Sequence, residues 1–124
     1  MIAGAEVFAL DDDISSIIET FVMASKLQRH AEQLAALGSP VRLAILRQVV
    51  QGDAAGTVVG DLKAKLGIPW STLSHHLEKL SSAGLLTPRP DGKFVFYRAD
   101  FGALRALTAY LWEDCCKGGN KSCG

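Results

Sequence analysis

Apolar residues recur at helical spacing over most of this chain. The pattern predicts a first helix from Ile14 to about Leu37, capped by Asp12 and Asp13, and it leaves a break near residues 25–30 open. A hydroxyl N-cap followed by proline, Ser39-Pro40, predicts a second helix to about residue 50. Its predicted buried stripe is Leu43, Leu46 and Val50, widened by Ile45 and Val49.

The second half of the chain mixes short helices with β-prone runs. Asp91-Gly92 lies between two such runs and predicts a hairpin. Asp100 is typical of an N-cap and predicts a last helix. The predicted elements are a short strand (56–59), a short helix (60–66), a helix opened by Pro69 (to about 83, with Leu73, Leu77 and Leu80 as its apolar stripe), a hairpin (85–89 with 94–98) and a helix (101–114).

Two helices joined by a tight turn, residues 61–66 and 70–83, are followed directly by a hairpin. This order predicts a winged helix-turn-helix, a mainly α fold with a small β-hairpin, whose second helix enters the DNA major groove. The candidate DNA-contacting residues are Ser71, Thr72, Ser74, His75 and Lys79 on the polar face of that helix, Trp70 at its start, and Arg89, Lys93 and Arg98 on the hairpin.

The charge distribution agrees with a DNA partner although the net charge of the 124 residues is zero. Residues 39–98 carry eight basic and four acidic side chains, whereas residues 1–38 carry two and six. A local basic region is what attracts phosphate. The acidic start lacks the features of a signal peptide, and no apolar run approaches the roughly 18 residues of a membrane span. We therefore expect a cytoplasmic protein with no membrane partner.

The stretch from Leu66 to Leu86, LGIPWSTLSHHLEKLSSAGLL, resembles the signature of the ArsR family of metal-sensing repressors. Ser39-Pro40-Val41-Arg42-Leu43 and the wing end Phe96-Tyr97-Arg98 strengthen the resemblance, which covers about residues 34–111. It implies homodimers that hold operator DNA until an inducer binds. Pro69 stands where a capping serine is common, and Trp70 where a glutamine often reads DNA. His76 and Tyr97 are expected to be structural.

A dimer is also expected from the small size of the helix that is predicted to enter the major groove. One short helix contacts few bases, and two copies a helical turn apart, about 34–36 Å, multiply the contacts. The resemblance implies that the first and last helices pack together as the dimer interface. We expect an N-terminal dimerisation helix or arm (1–33), a winged helix-turn-helix core (34–100) and a C-terminal dimerisation helix with a cysteine-bearing tail (101–124).

The chain has three cysteines, Cys115, Cys116 and Cys123, all within its last ten residues. Two sites used by relatives are absent, because Val58 and Gly60 stand where paired cysteines would lie and the last helix lacks histidine. The tail resembles that of arsenite-sensing members, with a vicinal cysteine pair at the helix end and a third cysteine beyond it. Thiolates select soft ions, so we expect As(III), or Sb(III), as the inducer and no organic cofactor.

Adjacent residues of a regular helix point about 100° apart, so Cys115 and Cys116 converge on one ion only if the helix frays there. Ligand binding is then expected to reshape the helix end and release the operator. Alternatives stay open: a redox switch through a Cys115–Cys123 disulfide, methylated arsenicals and a site shared between chains. Zinc is disfavoured, because a closed zinc site takes four ligands and only three thiols are present. From other classes, we considered a protein-interaction winged helix and a thiol enzyme, and found no catalytic constellation.

Overall fold

A computed structural model of the chain describes residues 14–119, which form helices and three short strands. The predicted caps Asp12 and Asp13 lie outside the described residues. In chain order the elements are α1 (Ile14–Leu37), α2 (Pro40–Gln51), β1 (Thr57–Val58), α3 (Val59–Leu66), α4 (Trp70–Ser82), β2 (Leu86–Asp91), β3 (Phe94–Ala99) and α5 (Phe101–Trp112). The predicted winged helix-turn-helix, mainly α with a small hairpin, is confirmed.

Helix α1 runs without interruption for 24 residues, so the break considered near residues 25–30 does not occur. Its end is marked by Gly38, whose backbone N–H donates to the carbonyl of Ala35 at 3.1 Å. The chain divides into two compact units within this helix, between Ala31 and Glu32. The division predicted from sequence, at residues 33/34 and 100/101, stays a prediction.

Helix α2 buries only part of the predicted stripe. Ile45, Leu46 and Val49 are buried, whereas Leu43 is 44 % and Val50 40 % exposed. Apolar residues occupy more than one face of α2, so periodicity alone could not select the buried one. The start of α2 is as predicted: Ser39 Oγ accepts from the backbone N–H of Arg42 at 3.4 Å, and Pro40 fills the first position.

The core lies between α2, α3, α4 and the sheet. The three leucines predicted to face inward from α4, namely Leu73, Leu77 and Leu80, are all buried, together with Leu62 of α3 and Leu85. The antiparallel sheet has the order β1-β3-β2. Tyr97 packs against this core, and desolvation by burial raises the pKa of its phenol. Its predicted packing role is confirmed.

Helix α5 begins where the sequence predicted and ends two residues earlier. Asp100 Oδ1 accepts from the backbone N–H of Ala103 at 2.9 Å, which is an N-cap bond. The last helical residue is Trp112, and Glu113 begins a run of turns. Across residues 14–119, no helix has the length and apolarity that a membrane span requires.

Candidate nucleic-acid interface

The turn between α3 and α4 sets the direction of the predicted reading helix. Gly67 ends α3 in the left-handed region (φ 66°), and its N–H donates to the carbonyl of Lys63 at 2.8 Å. Glycine adopts this conformation without the steric penalty that a Cβ imposes. Pro69 then holds extended backbone and provides no side-chain cap, while its carbonyl accepts from Leu73 at 2.9 Å. The two helices therefore meet in a three-residue turn.

The N-terminal half of α4 presents its polar side chains to solvent. Burial of the leucine stripe fixes the rotation of the helix, so the opposite face is exposed. The first turn contains no acidic residue, which keeps the partial positive charge of the helix N-terminus available to phosphate. The exposed residues include every α4 position predicted to contact DNA: Trp70, Ser71, Thr72, Ser74, His75 and Lys79.

Trp70 is 52 % exposed at the start of α4, and the ammonium of Lys63 lies 5.6 Å from its ring centroid. The pair forms a cation–π contact between the last turn of α3 and the first turn of α4. Sequence reasoning had not singled out Lys63. The signal was present, because Lys63 and Lys65 both lie in the last turn of the helix that precedes the reading helix.

The wing separates its predicted DNA contacts into two groups. Lys93 lies in the two-residue loop between Asp91 and Phe94, next to Gly92 with φ 64°. The loop is thus Gly92-Lys93, with positive φ at its first residue only, as in a type II′ turn. The sequence pattern centres the turn one residue earlier, on Asp91-Gly92. Lys93 is exposed at the tip of the wing, between the end of β2 and the start of β3.

Arg89 and Arg98 lie on the face of the wing away from α4. Arg89 is cross-strand to Phe96, with its guanidinium 4.7 Å from the ring centroid, and neighbouring Tyr97 points to the opposite face. Arg89 also donates to the Ala55 carbonyl at 3.2 Å and pairs with the Asp91 carboxylate at 3.6 Å. Its charge is engaged within the chain, so its predicted phosphate contact has less geometric support than that of Lys93.

His75 and His76 have different surroundings although they are adjacent. His75 is exposed on the polar face, whereas His76 is half-buried, which agrees with the structural role predicted for it. Desolvation holds the pKa of His76 below its usual value, and the positive charges of Arg42, His75 and Lys79 lower it further. A neutral imidazole is therefore the form that the fold favours at position 76.

The cysteine segment lies beyond the end of α5, in turns. Asp114 and Cys116 both have positive φ, 58° and 61°, so the cysteine pair is not part of a regular helix, as convergence on one ion requires. Lys117 pairs with Asp114 at 3.5 Å. Among residues 14–119, no three His, Cys, Asp or Glu side chains form a metal-binding group. The predicted triad also needs Cys123, which lies outside the described residues, so it stays a prediction.

The two described cysteines differ in oxidation state. Cys116 is disulfide-bonded, while Cys115 is an exposed thiol. The disulfide considered from sequence used Cys115 instead, and on that point the prediction is wrong. Sequence could not rank the two, because their orientations depend on the left-handed backbone at Asp114 and Cys116.

A family model described as a helix-turn-helix domain matches residues 37–89. A Xylella fastidiosa biofilm growth-associated repressor is 34 % identical over 94 residues, 76 % of this chain and 80 % of that protein. A Halobacterium salinarum protein named for repression of an arsenical resistance operon is 35 % identical over 80 residues, 64 % of this chain and 63 % of that protein. The solution structure of a homodimeric winged helix-turn-helix DNA-binding domain from Mycobacterium bovis covers 82 % of this chain and 94 % of its own, with 27 % identity and a TM-score of 0.60.

A tight helix-turn-helix with an exposed polar reading face, followed by a wing, defines a DNA-binding protein of the winged helix class. The similarities narrow the class: this chain belongs to the ArsR family of winged helix-turn-helix repressors. That family consists of transcriptional regulators and not of enzymes. The chain spans slightly less than two thirds, 63 % and 62 %, of the length of the first two curated relatives that it matches.

Proposed function

We propose that this protein is a homodimeric repressor that binds operator DNA and releases it when As(III), or Sb(III), binds its C-terminal thiolates. The observation that carries the DNA-binding part is the exposure of all six predicted contact residues of α4 on one helix whose opposite face is buried. The first turn of α4 contains no acidic residue, Lys79 lies farther along the same helix, and Lys93 lies at the wing tip. This arrangement suits a DNA groove that is lined by phosphates.

The dimer is supported by apolar side chains that a lone chain leaves in water. Helix α1 exposes Ile17, Phe21 and Val22, and α5 exposes Leu111 and Trp112. Exposed apolar surface on a small domain marks an interface. In the proposed dimer these side chains are covered by the partner chain, and the two copies of α4 read two half-sites a helical turn apart. The homodimeric relative has the same architecture.

The inducer is proposed from thiol chemistry and from one relative's name. Three thiolates complete the coordination of trivalent arsenic or antimony and balance its charge, and sulfur is the ligand that soft ions prefer. Cys115 and Cys116 follow α5 in turns, so the backbone can rearrange around an ion without breaking a helix. Because thiolates are the ligands, the disulfide at Cys116 must first be reduced. Ordering this segment would then alter the end of α5 and the dimer that it helps to form.

The decisive experiment follows the fluorescence anisotropy of labelled promoter DNA while arsenite is added to the reduced protein. The matched control is the Cys115→Ser/Cys116→Ser/Cys123→Ser variant. We expect release from the native protein and retention by the variant. Quenching of Trp112 fluorescence in a Trp70→Phe background reports arsenite binding without DNA. DNA release by the triple variant, or native protein that binds arsenite and keeps its operator, would rule out the proposed mechanism.

A redox-responsive repressor of the same fold is the second candidate, and the disulfide at Cys116 is the observation that favours it. Two thiols would lose two electrons and two protons to an oxidant such as a peroxide, which is reduced to water. Peroxide in place of arsenite is the discriminating arm of the anisotropy experiment. Release by peroxide but not by arsenite would favour the redox reading.

A further inference from the structure

A cavity of about 690 Å³ lies between α4 and the wing, within the usual size range of small-molecule sites. Helix α4 faces it with a stripe at spacings of four, three and four residues: Trp70, Ser74, Leu77 and Ser81. The wing contributes Val95 and Tyr97, which alternate with the outward Phe96, and Phe94 near the tip. Aromatic and branched side chains thus form most of its walls.

Ser81 lines the cavity, but its hydroxyl is not a contact for a ligand. Its Oγ is buried, without surface that a water molecule reaches, and has no hydrogen-bond partner among the described residues. The polar contacts that the cavity offers to a ligand therefore come chiefly from its charged side chains.

The charges at the cavity restrict the ligand further. Lys93 lines it from the tip of the wing, and Glu78 lines it from α4. The ammonium favours an anionic group at the wing tip, and the carboxylate disfavours a second one along α4. The rings of Trp70, Phe94 and Tyr97 suit a flat aromatic body. We propose that this cavity binds a small aromatic molecule carrying a single anionic group.

On the basis of the proposed function, this site is linked to DNA binding. Trp70 and Ser74 line the cavity and are also predicted DNA contacts. A ligand that contacts Trp70, Ser74 and Lys93 prevents these side chains from contacting DNA. Ligand and DNA therefore compete, independently of the cysteine segment.

Gly60 offers a variant that fills the cavity. It lines the cavity from α3, and a Cβ added there meets no atom within 4 Å. Any ordinary side chain also suits a helix better than glycine, so Gly60→Phe is expected to fold. Gly60→Ala is the matched control, since it improves the helix in the same way and adds little volume. Ser81→Ala is a second control, because its buried hydroxyl offers no surface to a ligand.

The probe is anilinonaphthalene sulfonate, an aromatic anion, and the readout is the magnetic resonance shift of the Trp70 indole N–H in DNA-free protein. We expect saturable binding with a Kd on the order of 10–100 µM. Binding should weaken about tenfold or more in Gly60→Phe and stay unchanged in Gly60→Ala. Ser81→Ala is expected to leave the affinity unchanged, because the buried hydroxyl offers no surface to the probe.

No shift of the Trp70 resonance up to millimolar probe, or equal affinity in Gly60→Phe and Gly60→Ala, would overturn the proposal. A shift produced equally by inorganic phosphate would assign the cavity to a phosphate group and would also overturn it. Because these measurements contain no DNA, their outcome is independent of whether the protein is a repressor. Competition with promoter DNA, expected for native protein and not for Gly60→Phe, then tests the linkage.

Discussion

The guanidinium Nη1 of Arg42 lies 3.2 Å from Nδ1 of His76. A guanidinium can only donate, so Nδ1 of the imidazole accepts. Arg42 Nε also donates to the carbonyl of Ala36 at 2.7 Å. One side chain thus joins the end of α1, the start of α2 and the middle of α4. The two sequence stretches that carry the family resemblance, Ser39–Leu43 and Leu66–Leu86, meet at this contact.

Replacing Arg42 by alanine is expected to destabilise the fold by about 1–3 kcal/mol, because two hydrogen bonds from a charged donor are lost. Urea unfolding followed by circular dichroism measures the change. Arg47→Ala is the matched control, since Arg47 is an exposed residue of the same helix, and it should change stability by less than about 0.5 kcal/mol. Equal losses in the two variants would show that the Arg42 contacts contribute nothing.

From the surroundings of His76 we expect the stability of the fold to fall in mild acid. Its pKa is lowered in the folded protein, chiefly by desolvation and then by nearby positive charges. The unfolded chain therefore binds more protons as the pH falls below about 6.5, and stability present above that pH is progressively lost. His76→Gln, whose amide oxygen can still accept from Arg42, should flatten the dependence between about pH 5 and pH 7.5. Urea unfolding across this range, with exposed His75→Gln as control, checks it; an unchanged slope in His76→Gln would contradict it.

Two adjacent valines of α2 test the corrected assignment of its buried face. Val49 is 3 % exposed, and Val50 is 40 % exposed. Val49→Ala should cost about 2 kcal/mol from lost burial and the remaining cavity, whereas Val50→Ala should cost about 0.5 kcal/mol. The two substitutions remove the same atoms, so thermal unfolding of both variants compares burial alone. A larger loss of stability in Val50→Ala than in Val49→Ala would contradict the observed burial of Val49.

Lys93 and Arg89 should differ in their effect on DNA binding. Lys93 is exposed at the wing tip, whereas Arg89 is engaged with Ala55, Asp91 and Phe96. Each phosphate contact contributes about 0.9 to the slope of log affinity against log salt, so Lys93→Ala should reduce the slope of a dimer by about 1.8. Arg89→Ala should leave it nearly unchanged. Anisotropy at several salt concentrations measures both slopes, and a larger change for Arg89→Ala would reverse our assignment.

Most of the fold could be predicted because its determinants are local. Ser39-Pro40 and Asp100 fix helix starts, Gly67 fixes a helix end through its backbone, and the leucine stripe of α4 fixes the rotation of that helix. Since rotation decides which side chains face solvent, the exposure of the predicted contact residues of α4 followed from the sequence as well.

What the tertiary structure decided are the relationships between elements. Periodicity offered α2 several apolar faces, and packing against the rest of the core selected the one with Ile45 and Val49. The strand register placed Arg89 over Phe96 and away from α4, so two similar cations of the wing, Arg89 and Lys93, received different surroundings. The partnership of Arg42 with His76 joins residues 34 positions apart. Such contacts depend on how separate elements pack, and a pattern read along one element contains no information about its neighbour.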